Sequence, residues 1–227
     1  MIAACGATHV GLPLRLPVHK QDVSEDAARD IVRGLAARSG GSTAQTVLIT
    51  YLAQARETLS LCRFLGVDGV QLHGPVPVAE VRRLREAAPE LLLIKSLVVG
   101  TADEAALLAE ARLHAPFVDA FLTDTFDPAS GASGATGLAH DWAVSRRLAL
   151  ALSQGPVARP LILAGGLTPD NVAEAVAQVR PAGVDAHTGL ENANGDKDEG
   201  LVRRFVAAAR AALSATIPLA GACQSLR

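Results

Sequence analysis

Residues 161–170 read LILAGGLTPD, an apolar run that ends in two glycines and continues as the start of a helix. The run Leu161–Ala164 has the near-continuous apolar character of a strand that is covered on both faces. Thr168 suits the N-cap of the following helix, Pro169 its first position and Asp170 the positive end of its dipole. A buried strand, a glycine turn and a helix in this order are parts of a βαβ unit, so the stretch predicts a parallel sheet covered by helices.

The same alternation of a short apolar run and a helical stretch is repeated along the chain. The stretch Ser24–Ala37 opens with a capping serine and two acids, and Leu201–Ala215 carries apolar residues at helical spacing. Alternation at this pace leads either to a closed (βα)8 barrel or to an open doubly wound sheet. The predicted strands are His9–Leu14, Thr46–Leu52, Gly69–Leu72, Leu91–Val98, Val118–Asp124, Leu161–Ala164 and Gly183–Thr188.

The positions of the glycine turns favour the barrel. No Gly-x-Gly-x-x-Gly turn follows an early strand, whereas glycine-rich turns follow the last strands, where barrels bind phosphate. We therefore expect an α/β fold of the (βα)8 TIM-barrel type. Only seven strands are found, so one βα unit of the eight is expected to be missing. Residues 1–215 are predicted to form a single TIM-barrel-like domain and residues 216–227 a C-terminal tail.

The composition argues against several classes of protein. The chain has 227 residues and 49% of them are hydrophobic, which is enough to bury a core and argues against disorder. Its net charge of −2 argues against a nucleic-acid partner. It lacks a long apolar run and a secretory signal pattern, so neither a membrane span nor export is predicted. Three widely separated cysteines indicate neither a disulfide framework nor a metal site, and we expect a cytoplasmic protein.

The candidate site residues follow the later strands. Asp124 stands at the C-terminal tip of its strand, where a barrel carries catalytic groups and where burial would let it donate a proton. The alternative is that Asp124 only caps the next turn. Three turns carry small residues and hydrogen-bond donors that suit a phosphate, and together they predict a phosphorylated ligand. Their candidate residues are Gly134, Thr136 and Gly137, then Gly165 and Gly166, then His187, Thr188 and Gly189.

Histidine and lysine residues add further candidates. His73 follows a predicted strand and is expected at the barrel mouth, where it contacts the substrate, acts as an acid or base, or holds a loop. Lys95 is expected either at the mouth, paired with Asp124 or a ligand carboxylate, or in an internal ion pair. We expect His140 to be structural and His114 to lie on the surface.

Between about Gly6 and Ala209 a series of motifs follows in order: Val70–Gly74, Ile94-Lys95, Asp119–Thr125, Gly134–Gly137 with Asp141-Trp142, Leu163–Leu167 with Asn171-Val172, and Gly183–Gly189 with Glu191 and Lys197-Asp198. In these motifs and their spacing the chain resembles the phosphoribosylanthranilate isomerase family of tryptophan biosynthesis. The resemblance implies a TIM barrel that needs no metal or organic cofactor. It also implies an Amadori rearrangement of N-(5′-phosphoribosyl)anthranilate, in which an acid protonates the ring oxygen and a base removes the proton on sugar carbon 2.

The resemblance also implies roles for individual residues. The general acid of the family falls on Asp124. The phosphate cradle falls on Gly165, Gly166, Thr188 and Gly189, and His187 stands where many members carry a small hydroxyl residue.

Two features depart from the family pattern. The resemblance implies that the missing βα unit is the first one, whose strand carries the family's base, a cysteine. Cys5 matches a structural helix position instead. The base is therefore unidentified, with His73 and Cys223 as weak candidates, the latter on a tail that could return as a strand. The family binds the substrate carboxylate with an arginine, where this chain has Lys20, which supplies charge without the two-pronged guanidinium geometry.

Two classes of function are therefore expected. The first is an isomerase with Asp124 as acid, or another sugar-phosphate isomerase or epimerase. The alternative is a non-catalytic or reassigned phosphate-binding barrel that acts on or senses another sugar phosphate. We expect a phosphorylated sugar as the partner, without nucleic acid or membrane, and a homodimer could cover an open barrel edge.

Overall fold

The computed structural model describes residues 1–17, 23–37, 44–127, 132–133 and 140–216. Eight strands are present: β1 (His9–Pro13), β2 (Gln45–Thr50), β3 (Gly69–Leu72), β4 (Leu92–Val99), β5 (Ala120–Asp127), β6 (Ala132–Ser133), β7 (Leu161–Leu163) and β8 (Gly183–Val184). The helices are α1 (Glu25–Ala36), α2 (Ala55–Leu65), α3 (Val78–Ala87), α4 (Glu104–His114), α5 (Trp142–Ser153), α6 (Val172–Val179) and α7 (Glu199–Thr216), with 3-10 turns at Ile2–Cys5 and Thr188–Leu190.

Seven of the strands form one parallel sheet in the order β1-β2-β3-β4-β5-β7-β8, and β6 pairs antiparallel with the end of β5. The helices connect successive strands, as parallel pairing requires. The predicted parallel sheet with seven strands is thus confirmed. Within the described ranges, β1 and β8 are the two ends of this order, and none of the described helices is long and apolar enough to cross a membrane.

The sheet is curled, with an inner face and a face that is covered by helices. Val47 of β2 packs in one cluster with Ile94 of β4, although β3 lies between these strands, and Leu122 and Ala164 belong to the same cluster. A flat sheet would keep such side chains apart, so the strands curve around a common interior as in a TIM barrel. The outer side chains, among them Leu48, Val70, Leu93 and Phe121, form the main core with the helices.

Two predicted element boundaries are wrong for physical reasons. The helix after β7 begins at Val172 rather than near Pro169, because the Asn171 side chain accepts a hydrogen bond from the Thr168 amide (2.8 Å) and donates one to the Gly166 carbonyl (2.9 Å). These bonds hold the preceding segment as a turn. Strand β8 ends at Val184, short of the predicted Thr188, because its partner β7 ends at Leu163.

Candidate active site

Two aspartates and an alanine form a row across β5, β7 and β8. Asp124 lies within β5, which runs on to Asp127, and not at the strand tip that the sequence predicted, whereas Ala164 and Asp185 directly follow β7 and β8. The register pairs Thr123 with Leu163 and Leu163 with Val184, so the next residues along these strands are Asp124, Ala164 and Asp185. The Ala164 amide donates to the Thr123 carbonyl (2.9 Å) and the Asp185 amide to the Leu163 carbonyl (2.9 Å), which continues both ladders. Side chains alternate along a strand, so the row lies on the inner face with the cluster that contains Leu122 and Ala164. Only the methyl group of Ala164 separates the two carboxylates along the row.

Asp124 is a buried carboxyl group with a strongly perturbed pKa. Its side chain is buried, and burial raises its pKa to about 7. The Thr125 amide donates to Asp124 Oδ1 at 2.8 Å and partly opposes this rise, whereas the charge of Asp185 adds to it. Asp124 therefore holds its proton up to neutral pH and has the pKa of a general acid. The role of general acid, which the sequence resemblance implied for Asp124, stays a prediction.

Asp185 stands in a different environment within the same row. Many protein atoms lie around the Asp185 carboxyl group, and this desolvation raises its pKa. The side chain is nevertheless in contact with solvent. Positive charge on His187, Lys197 and His9 opposes that rise. Because hydration also favours the charged form, Asp185 is the member of the pair that is better suited to carry a negative charge.

The turn that follows β7 depends on its two glycines. Gly165 and Gly166 have φ values of 94° and 61°, in the left-handed region that favours glycine. A Cβ atom on Gly165 would lie 2.1 Å from the Thr125 hydroxyl oxygen. The turn therefore packs directly on the strand that carries Asp124, and no larger residue fits there.

The second predicted cradle segment packs against the first. A Cβ atom on Gly189 would lie 2.1 Å from the carbonyl oxygen of Leu167, so Gly189 contacts the chain just after the Gly165-Gly166 turn. Next to it, His187 Nδ1 lies 3.2 Å from Glu191 Oε1, and Lys197 pairs with the same carboxylate. The structure thus brings together two of the three turns that the sequence predicted to bind phosphate.

His73 lies on the inner face, on the opposite side of β4 from β5. Its Nδ1 atom is 3.2 Å from Ser96 Oγ, its ring packs against that of Tyr51 with centroids 4.8 Å apart, and the side chain is buried. Ser96 also accepts a hydrogen bond from Gln71 at 3.1 Å. The register sets Ser96 beside Leu122, two residues before Asp124 along β5. These contacts agree with a loop-holding role as well as with a site role.

Two sequence predictions outside the row are wrong. Lys95 does not pair with Asp124 at the mouth, because it alternates with the inward residues of β4 and points to the helices, where its ammonium lies 3.1 Å from Glu110 Oε1. The alternative of an internal ion pair is therefore the one that holds. His114 is not on the surface, because its Nε2 atom lies 3.2 Å from the Val76 carbonyl in the interior between α4 and α3.

Five candidates fall on residues outside the described ranges. Lys20, the possible carboxylate contact, is one of them. So are the first phosphate turn, with Gly134, Thr136 and Gly137, and the tail residue Cys223.

The sequence reasoning missed Asp185 as a site residue and did not connect His140 with the site. A signal for Asp185 was present, because an acid follows an apolar strand at Val184-Asp185 as it does at Thr123-Asp124. The strand register, which the sequence does not show, places these two acids in one row on either side of Ala164.

Comparison with known proteins identifies one family over most of the chain. The family model described as N-(5′-phosphoribosyl)anthranilate (PRA) isomerase matches residues 12–208. N-(5′-phosphoribosyl)anthranilate isomerase 2 of Methanosarcina mazei is 40% identical over 212 residues, which cover 91% of this chain and 86% of the relative. The isomerase of Haloferax volcanii is 40% identical over 214 residues, covering 94% of this chain and 88% of the relative.

A solved structure agrees with this result. Monomers generated from the dimeric phosphoribosylanthranilate isomerase of Thermotoga maritima superpose with a TM-score of 0.70 at 27% identity, covering 92% of this chain and 91% of that one. The relatives named here are isomerases, and none of their names supports a non-catalytic phosphate-binding barrel.

Proposed function

This chain belongs to the N-(5′-phosphoribosyl)anthranilate isomerase family, and we propose that it catalyses the Amadori rearrangement of N-(5′-phosphoribosyl)anthranilate. The observation that carries the proposal is Asp124, a buried carboxyl group with a pKa of about 7 beside a second carboxylate. An acid that is protonated near neutral pH can donate a proton to the furanose ring oxygen as the ring opens. The non-catalytic alternative has no support from the relatives.

Asp124 and Asp185 divide the proton transfers in this proposal. The acid protonates the ring oxygen, and the ring opens to an iminium group at sugar carbon 1. A base then removes the proton on carbon 2, and the resulting enolamine tautomerises to the 1-deoxyribulose product. We assign the base role to Asp185, because its side chain is exposed to solvent and nearby cationic groups oppose the rise of its pKa, whereas Asp124 is buried. His73 and Cys223 stay weaker candidates.

The phosphate group of the substrate would bind at the two packed turns. Gly165 and Gly166 offer backbone amides in a left-handed turn, and Thr188 and Gly189 pack beside them. Lys197, at the same loop, adds positive charge. The turn with Gly134, Thr136 and Gly137, the side chain of His187 and the carboxylate contact of Lys20 stay predictions for the same complex.

The decisive experiment follows substrate fluorescence in the wild type and the Asp124→Asn variant. We expect turnover by the wild type and a loss of about 10²- to 10⁴-fold in kcat in the variant, the usual contribution of a general acid. We expect the wild-type kcat/KM to fall as the pH rises above about 7, since Asp124 of the free enzyme then loses its proton.

The matched control is Asp119→Asn. Asp119 directly precedes the first residue of β5, and its side chain pairs with Arg85. This variant should keep kcat within about threefold, because it lies away from the row. Folded wild-type protein without turnover would refute the proposal. Equal losses in both variants would refute the acid role.

Assembly and location are further proposals. A dimeric relative is known from Thermotoga maritima, and a homodimer of this chain would cover the edges of β1 and β8, the two ends of the sheet in the part of the chain that the structure describes. Light scattering at several protein concentrations gives the mass that tests it. A cytoplasmic location is proposed from the sequence composition alone.

A further inference from the structure

A hydrogen-bonded network lies behind the strand that carries Asp124, on its outer side. His140 Nδ1 is 2.9 Å from the Thr125 hydroxyl, and His140 Nε2 is 2.5 Å from the Ser145 hydroxyl. Ser145 in turn donates to the Thr123 hydroxyl at 3.3 Å. Thr123 and Thr125 flank Asp124 in sequence, so the network ties both neighbours of the proposed acid to the start of α5.

The network is in contact with the glycine turn of the phosphate cradle. A Cβ atom on Gly165 would lie 2.1 Å from Thr125 Oγ1 and 3.1 Å from His140 Nδ1. The hydroxyl and the imidazole together therefore form the surface on which this turn rests. A shift of either group by a fraction of an ångström would move the Gly165 backbone, because a close-packed interior has little free volume to absorb the shift.

One arrangement of protons satisfies all three contacts with Ser145 as the donor to Thr123. In it the Ser145 oxygen accepts from His140 Nε2–H. The other nitrogen then accepts, so the Thr125 hydroxyl donates to His140 Nδ1 and turns its oxygen lone pairs away from the ring. Burial lowers the pKa of His140 to about 4, so the ring is neutral at the working pH and keeps this arrangement.

We propose that His140 is a positioning residue that, by holding the Thr125 hydroxyl, fixes the Gly165 turn and thereby sets the affinity of the cradle for the substrate phosphate. This inference rests on the proposed function, because it takes the Gly165-Gly166 turn as the phosphate site. His140 does not act on the reacting carbon atoms. Its loss should therefore raise the KM for substrate and the Kd for phosphate while leaving kcat nearly unchanged.

Two substitutions at this position separate the two hydrogen bonds. In His140→Asn the amide oxygen can take the place of Nδ1 and still accept from Thr125, whereas the bond to Ser145 is lost. In His140→Gln the amide nitrogen can take the place of Nε2 and still reach Ser145, whereas the bond to Thr125 is lost. The variants thus remove one bond each from the same ring position.

The test measures the Kd of inorganic phosphate by titration calorimetry and the KM and kcat of the substrate. We expect His140→Gln to raise the phosphate Kd and KM about tenfold and His140→Asn to raise them less than about threefold, with kcat within about threefold in both. Thr125→Val should match His140→Gln, and the double variant should be no worse than either single one, because both remove the same contact.

A buried histidine away from the site supplies the control. His114→Asn breaks a comparable pair of contacts, to the carbonyls of Glu110 and Val76, and should lower the stability but leave the phosphate Kd unchanged. If His140→Gln and His140→Asn weaken phosphate equally, or neither does, the inference is wrong. A wild type that turns over but does not bind phosphate competitively also overturns it, whereas a wild type without turnover or phosphate binding overturns the proposed function itself.

Discussion

Lys95 and Asp124 are both buried ionisable residues, and they lie on the neighbouring strands β4 and β5 with opposite environments. The Lys95 side chain is 3% exposed, and it faces the helices, where Glu110 of α4 compensates its charge at 3.1 Å. Asp124 faces the interior beside a like charge, and in the part of the chain that the structure describes no cation pairs with it. Burial lowers the pKa of Lys95 and the charge of Glu110 opposes this fall, whereas burial raises the pKa of Asp124 and no counter-ion among the described residues opposes the rise.

The two environments distinguish an ion-paired group, which stabilises the fold, from an unpaired buried acid, which can take part in proton transfer. A buried ion pair is costly to break but offers no transferable proton. An unpaired buried carboxyl group is costly when it ionises, and that cost is the reason for a pKa near neutrality. The same fold therefore tolerates an ionisable group on each face of the sheet by two different means.

The largest expected effect concerns the pH dependence of stability. The pKa of Asp124 is raised from 3.8 to about 7, so its contribution is fully present below pH 3.8 and is lost as the pH rises through 7. Relative to Asp124→Asn, the wild type should lose at most about 4 kcal/mol of unfolding free energy across this window. Urea unfolding from pH 4 to pH 8 gives both curves. Parallel curves for the two proteins would contradict the perturbed pKa.

The Lys95–Glu110 pair should respond unequally to removal of either partner. Glu110→Gln leaves a buried ammonium without its counter-ion and should cost about 2 kcal/mol, less than for a fully buried pair because Glu110 is partly exposed. Lys95→Met leaves Glu110 in contact with water and should cost less than about 1 kcal/mol. Urea unfolding at pH 8 ranks the two, with kcat as the control that neither changes. The opposite order would show that Lys95 contributes through packing rather than through its charge.

A smaller effect should connect the two carboxylates of the row. The charge of Asp185 raises the pKa of Asp124, so Asp185→Asn should lower it. Carbon-13 NMR of the aspartate carboxyl groups follows the titration directly, and Asp119→Asn, which changes an aspartate outside the row, should leave it unchanged. A pKa of Asp124 that does not fall would mean that the row does not couple these groups.

The strands could be predicted because their apolar runs are local signals. Strand β3 was predicted with its observed bounds, Gly69–Leu72, and the run at Leu161 marked the start of β7. The end of β8 could not be predicted, because it depends on where β7 stops. The start of α6 was missed because the hydrogen bonds of Asn171, rather than the Thr168-Pro169 pattern, decide it.

Individual residues of the site could be predicted from the sequence, but their arrangement in space could not. Asp124 could be identified because an acid at the end of a buried strand is uncommon and informative. The direction of Lys95 depends on the alternation within β4, and a strand that is shifted by one residue reverses every face. Asp185 and the network of His140 depend on contacts between segments that are distant along the chain, which a single sequence does not show.

The lengths of the strand ladders bear on how the site moves. Six residue pairs join β4 to β5, three join β5 to β7 and only two join β7 to β8. Local opening costs least where the fewest backbone bonds must break, so amide hydrogen exchange should be fastest at Asp185 and slowest on the β5 side. Asp124 therefore lies on a strand that is held rigidly by its neighbours, whereas Asp185 follows a strand that opens more easily. Local opening of β8 would let the site change its width around a ligand, while β5 and the protonated Asp124 stay in place.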